Sequence, residues 1–333
     1  MRASPLVPRF LSNSRGLHPG LLRRLGFAYR EYARASPPRT PGESPREIGQ
    51  ESRNQGTRKD RALAFGCWGV ALIVMLVFAG IAADLLVRGG ALDVRFLVEA
   101  PSRSGRAGGI GPILVSTAAI LAICIAVCAP LGVAAALLLS EWRGRGLAAG
   151  RVIGLSLDVL AGVPSIVFGL FGSAFFCRTL DLGFSLLSGG LTLACMALPL
   201  VARTAEAGFR AVPLEYRAGA AALGLSRAAV ARHVTVPAAM PSILAGLALG
   251  IGRALAETAA LLFTSGYVDR LPGSLWDSGR AMSVHVYDLA MNVPGGDPNA
   301  YRSAFVLIVM ILAIQVALQG GLGAWARRRW HVA

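Results

Sequence analysis

Residues 110–140 read IGPILVSTAAILAICIAVCAPLGVAAALLLS, a run without one charged side chain. A helix of about 20 apolar residues crosses the hydrocarbon core of a bilayer. This run is long enough to cross with tilt. Pro130 inside it is tolerable there, because neighbouring helices satisfy the backbone groups that a proline frees. Further apolar runs lie on either side, over about 62–87, 152–177, 184–202, 240–265 and 303–322. Each is close to spanning length, and together they predict an all-α polytopic membrane protein with six transmembrane helices. Composition agrees. Of 333 residues 54% are hydrophobic and only 15% charged, with mean hydropathy +0.58, where a soluble chain carries about a quarter charged residues.

The net charge of +15 raises the question of nucleic acid, and the placement of the charges answers it. Thirteen of the 33 Lys+Arg lie before the first apolar run, and most others fall in alternate loops. No aromatic–basic interleaving marks a nucleic-acid platform. Counted by loop, 24 basic residues fall on one side and 8 on the other, with Arg253 inside a run. The positive-inside rule then puts both termini on the cytoplasmic side of the membrane; the four arginines over 88–109 run against the trend. Residues 1–60, rich in Arg, Pro, Ser and Gly, read as a disordered basic cytoplasmic tail able to rest on anionic lipid. The apolar stretch after it begins too late and runs too long for a signal peptide.

Soluble chemistry is poorly represented. Cys67, Cys124, Cys128, Cys177 and Cys195 all sit in or beside apolar runs without a CxxC pair, as small apolar filler does. The histidines at 18, 233, 285 and 331 show no ligand spacing, and no phosphate-binding loop or nucleophile elbow occurs. No metal, no catalytic residue and no cofactor are expected on this chain.

The polar segment 203–237 is the informative loop. Pro213 suits a helix start, and the alanine-rich stretch behind it has high helix propensity. Gly224 suits a sharp stop, since glycine accepts the left-handed backbone of a helix end. A second short helix over about 227–235 completes a helix-turn-helix knob whose alanine-rich face fits a groove on a partner. In the third run, small residues at 161, 162, 165 and 169 allow another helix to approach closely.

These segments resemble a known family. Gly224, followed after nine residues by Val234-Thr235-Val236-Pro237, is similar to the EAA loop of ABC importer permeases, the element that docks on the ATP-hydrolysing subunit. Ala218, Gly219 and Ala220 fall on the EAA positions, so Ala218 replaces the family's glutamate. Glu215, one turn earlier, is a candidate substitute carboxylate, with Arg217 beside it. Three more segments narrow the resemblance to the phosphate importer permease, PstA type. RALAETAALLFT at 253–264 differs from that family's RALGETAPLLFT at Ala256 and Ala260. LAGVPSIVFGLF at 160–171 and the stretch 282–296 also match. The resemblance covers the chain from about 62 to 329. It implies a type I ABC importer permease (MetI-like) fold over 61–329, with a cytoplasmic coupling loop at 203–237 and a periplasmic segment at 266–302.

Arg253 draws attention without the resemblance. It lies about a dozen residues into the fifth run, and an arginine near mid-membrane costs at least ~2.5 kcal/mol on insertion scales. Glu257, four residues on, shares its helix face and is placed to pair with it. A guanidinium is always charged and holds two oxygens at once, which suits an oxyanion. Arg253, Glu257 and Thr258 are therefore the candidate substrate pathway, with a structural Arg–Glu bridge as the plainer reading. The resemblance implies inorganic phosphate as substrate and alternating access as mechanism. It also implies three partners: a second, PstC-like permease, a PstB-like ATPase dimer carrying ATP and magnesium, and a PstS-like phosphate-binding protein. Another oxyanion (molybdate, sulfate or phosphonate) and a non-transporting scaffold or sensor stay open as alternatives.

Overall fold

A chain in lipid must satisfy its backbone hydrogen bonds internally, and helices do so within one segment. The computed structural model describes residues 45–144 and 148–330, and most of it is helix. The helices are α1 (Pro45–Gly89), α2 (Val94–Val98), α3 (Gly111–Gly144), α4 (Ala148–Gly162), α5 (Ser165–Thr179) and α6 (Leu186–Ala211). They continue with α7 (Leu214–Ala222), α8 (Arg227–Ala256), α9 (Ala259–Leu262), α10 (Met282–Met291) and α11 (Asp297–Trp330). A small antiparallel hairpin, β1 (Pro101–Ser102) with β2 (Ala107–Gly108), precedes α3. The chain divides into two compact units, Met1–Val77 and Phe78–Ala333, with the boundary inside α1.

Within the second unit α3 and α6 form the centre. Ile120, Cys124 and Cys128 of α3 pack with Leu193, Ala197 and Val201 of α6 in one buried cluster. Small residues bring the helices together. A Cβ on Gly190 of α6 would lie 2.6 Å from Ile123 of α3, and one on Gly208 would lie 2.3 Å from Ser242 of α8. Such close approach replaces the hydrophobic drive that lipid does not supply. A second cluster, with Phe209 fully buried among Val212, Ala239 and Ile243, fixes the far end of α6 against α8.

Among the described residues five helices are long and apolar enough to cross a membrane, and a bent pair, counted as one span, brings the number to six. The bent pair corrects the expected third span, 152–177. It is not one rod: α4 and α5 meet at 103° around Gly162-Val163-Pro164, and Pro164 holds an extended ψ of 144°. Proline there cannot donate a hydrogen bond and disfavours the helical conformation in the residue before it. The expected fifth span, 240–265, also breaks. Helix α8 ends at Ala256, and Glu257 is extended at φ −78°, ψ 128°.

Other boundaries move outward. The expected second helix of the coupling loop, 227–235, runs without interruption into the fifth span, so α8 starts at Arg227. Its stretch Ala231–Thr235 is π-helical. Pro237 follows at once, and a wider turn gives its ring room beside the carbonyl four residues back. Helix α6 likewise continues past 202 to Ala211, so the loop expected over 203–237 is helical at both ends. Of the expected disordered tail, residues 1–44 lie outside the described residues, and from Pro45 on the backbone is helical.

Candidate functional site

The coupling loop is built around α7. Glu215 sits in its first turn, where a carboxylate complements the positive end of the helix dipole. The helix stops as its glycine requires. Gly224 adopts φ +80°, its N–H donates to Ala221, and the N–H of Leu225 donates back to Ala220 at 3.3 Å, a left-handed helix end closed by paired backbone bonds. Ser226 then caps α8, its hydroxyl accepting from the N–H of Ala229. Glu215, Ala218, Gly219 and Gly224 are exposed, Ala220 is buried, and Val234 and Pro237 are half-buried. Around them Leu214, Tyr216 and Leu223 stand 77%, 54% and 84% exposed, so the knob presents apolar side chains outward. The guanidinium of Arg217 donates to the carbonyl of Phe209 and holds α7 on the end of α6.

The candidate pathway lies at the break in α8. Arg253 is exposed, in the last helical turn, where the negative end of the helix favours a cation. Glu257 does not pair with it. The expected i,i+4 bridge requires a helix through both residues, and the helix ends between them. Glu257 instead turns its carboxylate to the N–H of Ala260 at 3.4 Å, and Thr258 occupies the position before α9. Among the described residues no carboxylate lies within ion-pair distance of Arg253. The break also frees backbone carbonyls, and one of them finds a partner from outside: the Ser283 hydroxyl of α10 donates to the Glu257 carbonyl at 2.5 Å. Thr117 of α3 accepts from the N–H of Met282. Thr117 and Ser283 share a small cavity with Ala254 and Leu255 of α8 and with Leu261 of α9. The structure thus gathers Arg253, Glu257 and Thr258 at one backbone break beside a cavity with two hydroxyls.

Two clusters went unseen in the sequence. Arg280, His285 and Asp288 come together in the 266–302 segment, Arg280 bridging to Asp288 at 3.1 Å and donating to the Tyr267 carbonyl at 2.9 Å. His285 is 1% exposed. Its burial, aided by Arg280 and opposed by Asp288 and Asp269, lowers its pKa to about 4. Asp158 of α4 bonds with Arg203, which also holds Glu206. The i,i+3 and i,i+4 spacing of Arg203, Glu206 and Arg210 was a usable signal; the partner on α4 was not visible.

Comparison with known proteins fits this architecture. Residues 129–330 match the family described as binding-protein-dependent transport system inner membrane component. The chain is 28% identical over 272 residues to the probable ABC transporter permease protein YqgI of Bacillus subtilis (strain 168), covering 77% of this chain and 92% of that one. It is 33% identical over 235 residues to the phosphate transport system permease protein PstA 2 of Mycobacterium bovis, covering 68% and 76%. Among solved structures it resembles the inward-facing MetNI methionine ABC transporter, with TM-score 0.52 at 14% identity over 64% of this chain and 96% of that chain. At that identity the likeness shows the fold alone. In this family the chain is a transport subunit, not an enzyme, and the ATPase is a separate subunit. With its broken helix, its left-handed turn at Gly224 and its apolar spans, this multi-pass membrane protein belongs to the binding-protein-dependent transport system inner membrane component family, as an ABC importer permease of the PstA type.

Proposed function

We propose that the chain carries inorganic phosphate across the bacterial cytoplasmic membrane as one of two permease subunits of an ATP-driven importer. The observation that carries this reading is Arg253, an exposed cation at the end of a broken helix with no acidic partner among the described residues. A bare arginine facing lipid is costly. One facing a second permease across a shared pathway is solvated between passages and binds an oxyanion during them. The release of Glu257 from its expected bridge matters here, because a paired guanidinium offers an anion less. Likeness to PstA 2 supports phosphate over other oxyanions.

In this reading both termini and the 203–237 loop face the cytoplasm. The exposed apolar side chains of α7 dock on an ATPase dimer, which holds the ATP and magnesium. A phosphate-binding protein delivers its cargo to the 266–302 side. The test is Arg253→Ala in a complex reconstituted with both permeases, ATPase and binding protein. Phosphate uptake is expected to fall at least about tenfold, as loss of a charge-assisted contact of about 1.5 kcal/mol or more implies, while basal ATPase activity persists. Unchanged uptake removes Arg253 from the pathway. Competition by sulfate and molybdate at concentrations equal to phosphate reads the choice of oxyanion directly.

A further inference from the structure

Where α6 enters the 203–237 segment, α4 and α6 are joined by a charged cluster that belongs neither to the knob nor to the helix break. Arg203 of α6 donates to Asp158 of α4 from Nε at 2.8 Å and to Glu206 from Nη1 at 2.7 Å. Its Nη2 reaches the carbonyl of Gly154, also on α4. Glu206 has a side chain only 4% exposed and also binds Arg210 at 2.6 Å. Asp158 and Gly154 are one turn apart on one face of α4, and a planar fork of five donors is suited to grip such a pair.

What lies at each end of this grip gives it meaning. On one side, Arg217 ties α7 to the Phe209 carbonyl, and Phe209 is completely buried. On the other side, α4 passes through its 103° bend into α5, and α5 lies hard against the segment after the break. A Cβ on Gly169 would stand 2.8 Å from the Cα of Ala260, and one on Gly172 would stand 2.8 Å from Thr264. Elements packed this closely pass a displacement on, since close-packed interiors deform little.

We propose that Arg203 is a positioning residue that carries movement of α7 into the bent pair α4–α5, and through it to the break at Glu257–Thr258. The inference rests on the permease reading above. A clip that merely held the fold together would lower transport and ATP hydrolysis in step with the amount of folded protein. A relay separates them: hydrolysis continues and less substrate moves per ATP.

The experiment uses the full complex in proteoliposomes with Arg203→Gln, Arg203→Lys and Asp158→Asn. Arg203→Gln strips a cation from a buried carboxylate and is the variant most exposed to misfolding. Asp158→Asn leaves Glu206 with both arginines and removes the charged half of the grip on α4, the Gly154 carbonyl keeping its contact. Phosphate moved per ATP hydrolysed is expected to fall about tenfold in Asp158→Asn, the scale of ordinary coupling energies, with partial recovery in Arg203→Lys relative to Arg203→Gln. A second readout does not depend on the transported ion. Leu170 of α5 is 54% exposed; as a single cysteine, Leu170→Cys reports ATP-driven movement by its maleimide reactivity. ATP is expected to change that reactivity in the parent and not in Asp158→Asn. An unchanged ATP response, or an unchanged phosphate-to-ATP ratio, in Asp158→Asn overturns the relay. If the parent responds to ATP at Leu170→Cys but imports no phosphate, the substrate reading fails while the relay stands.

Discussion

At the scale of single residues, Gly224 and His285 show two ways in which one position sets a local free energy. An added Cβ at Gly224 meets nothing within 4 Å, yet the backbone holds φ +80°. The penalty for any other residue is therefore conformational and amounts to about 1 kcal/mol. Gly224→Ala is expected to loosen the end of α7, read as faster hydrogen exchange of the amides over 221–230, and Gly224→Asn to restore part of the protection. His285 lies outside the spanning helices, and its folded pKa of about 4 is below the ordinary 6.5. The unfolded chain therefore takes up the proton first. As pH falls from 6.5 towards 4 the folded state loses stability, by at most about 3 kcal/mol; above 6.5 the group has no effect. The Tm of the purified permease is expected to drop through that window. His285→Gln is expected to flatten the drop, and an unaltered slope would assign it to other groups.

Among elements, the bent pair α4–α5 is the most constrained. Gly172 leaves so little room that a Cβ would lie 2.2 Å from the Thr192 hydroxyl, whereas Gly162, at the bend itself, has nothing within 4 Å. Gly172→Ala is expected to destabilise by about 1–3 kcal/mol through overpacking, and Gly162→Ala to leave thermal unfolding in detergent nearly unchanged. Equal effects at the two sites would mean that α5 does not pack as described. The contrast also shows where the sequence is legible. The small residues at 161, 162, 165 and 169 announce a close approach, but composition does not say which glycine touches its neighbour. The spans are legible because hydrophobicity is a sum over many residues. The breaks at Pro164 and Glu257 are not, because a membrane helix can continue through proline or glutamate when neighbouring helices supply the missing partners. The pairing of Arg253 with Glu257 failed for that reason: the spacing is right, and the backbone between them is not helical. Arg203 and Asp158 remained hidden because their 45-residue separation is closed only by tertiary packing.

For the whole molecule, orientation is a question that two labels can answer. With Ser274→Cys in the 266–302 segment and Glu215→Cys on α7, each in a cysteine-free background, a membrane-impermeant maleimide is expected to label the first in intact spheroplasts. The second is expected to label only after lysis. The reverse pattern would invert the arrangement proposed here and place the knob on the wrong side for an ATPase. The broken helix has a further consequence, for the order in which the protein is made. The carbonyl freed at Glu257 is satisfied by Ser283, 26 residues further along the chain, and a bare carbonyl in hydrocarbon costs several kcal/mol. When the break at Glu257 leaves the ribosome, Ser283 is still inside the exit tunnel. During translation the nascent segment must keep that carbonyl wet or sheltered, and the interior of the permease closes only when α10 arrives. Biogenesis of this subunit therefore has a late checkpoint, and a chain truncated before residue 283 is expected to be recognised by membrane proteases as unfinished.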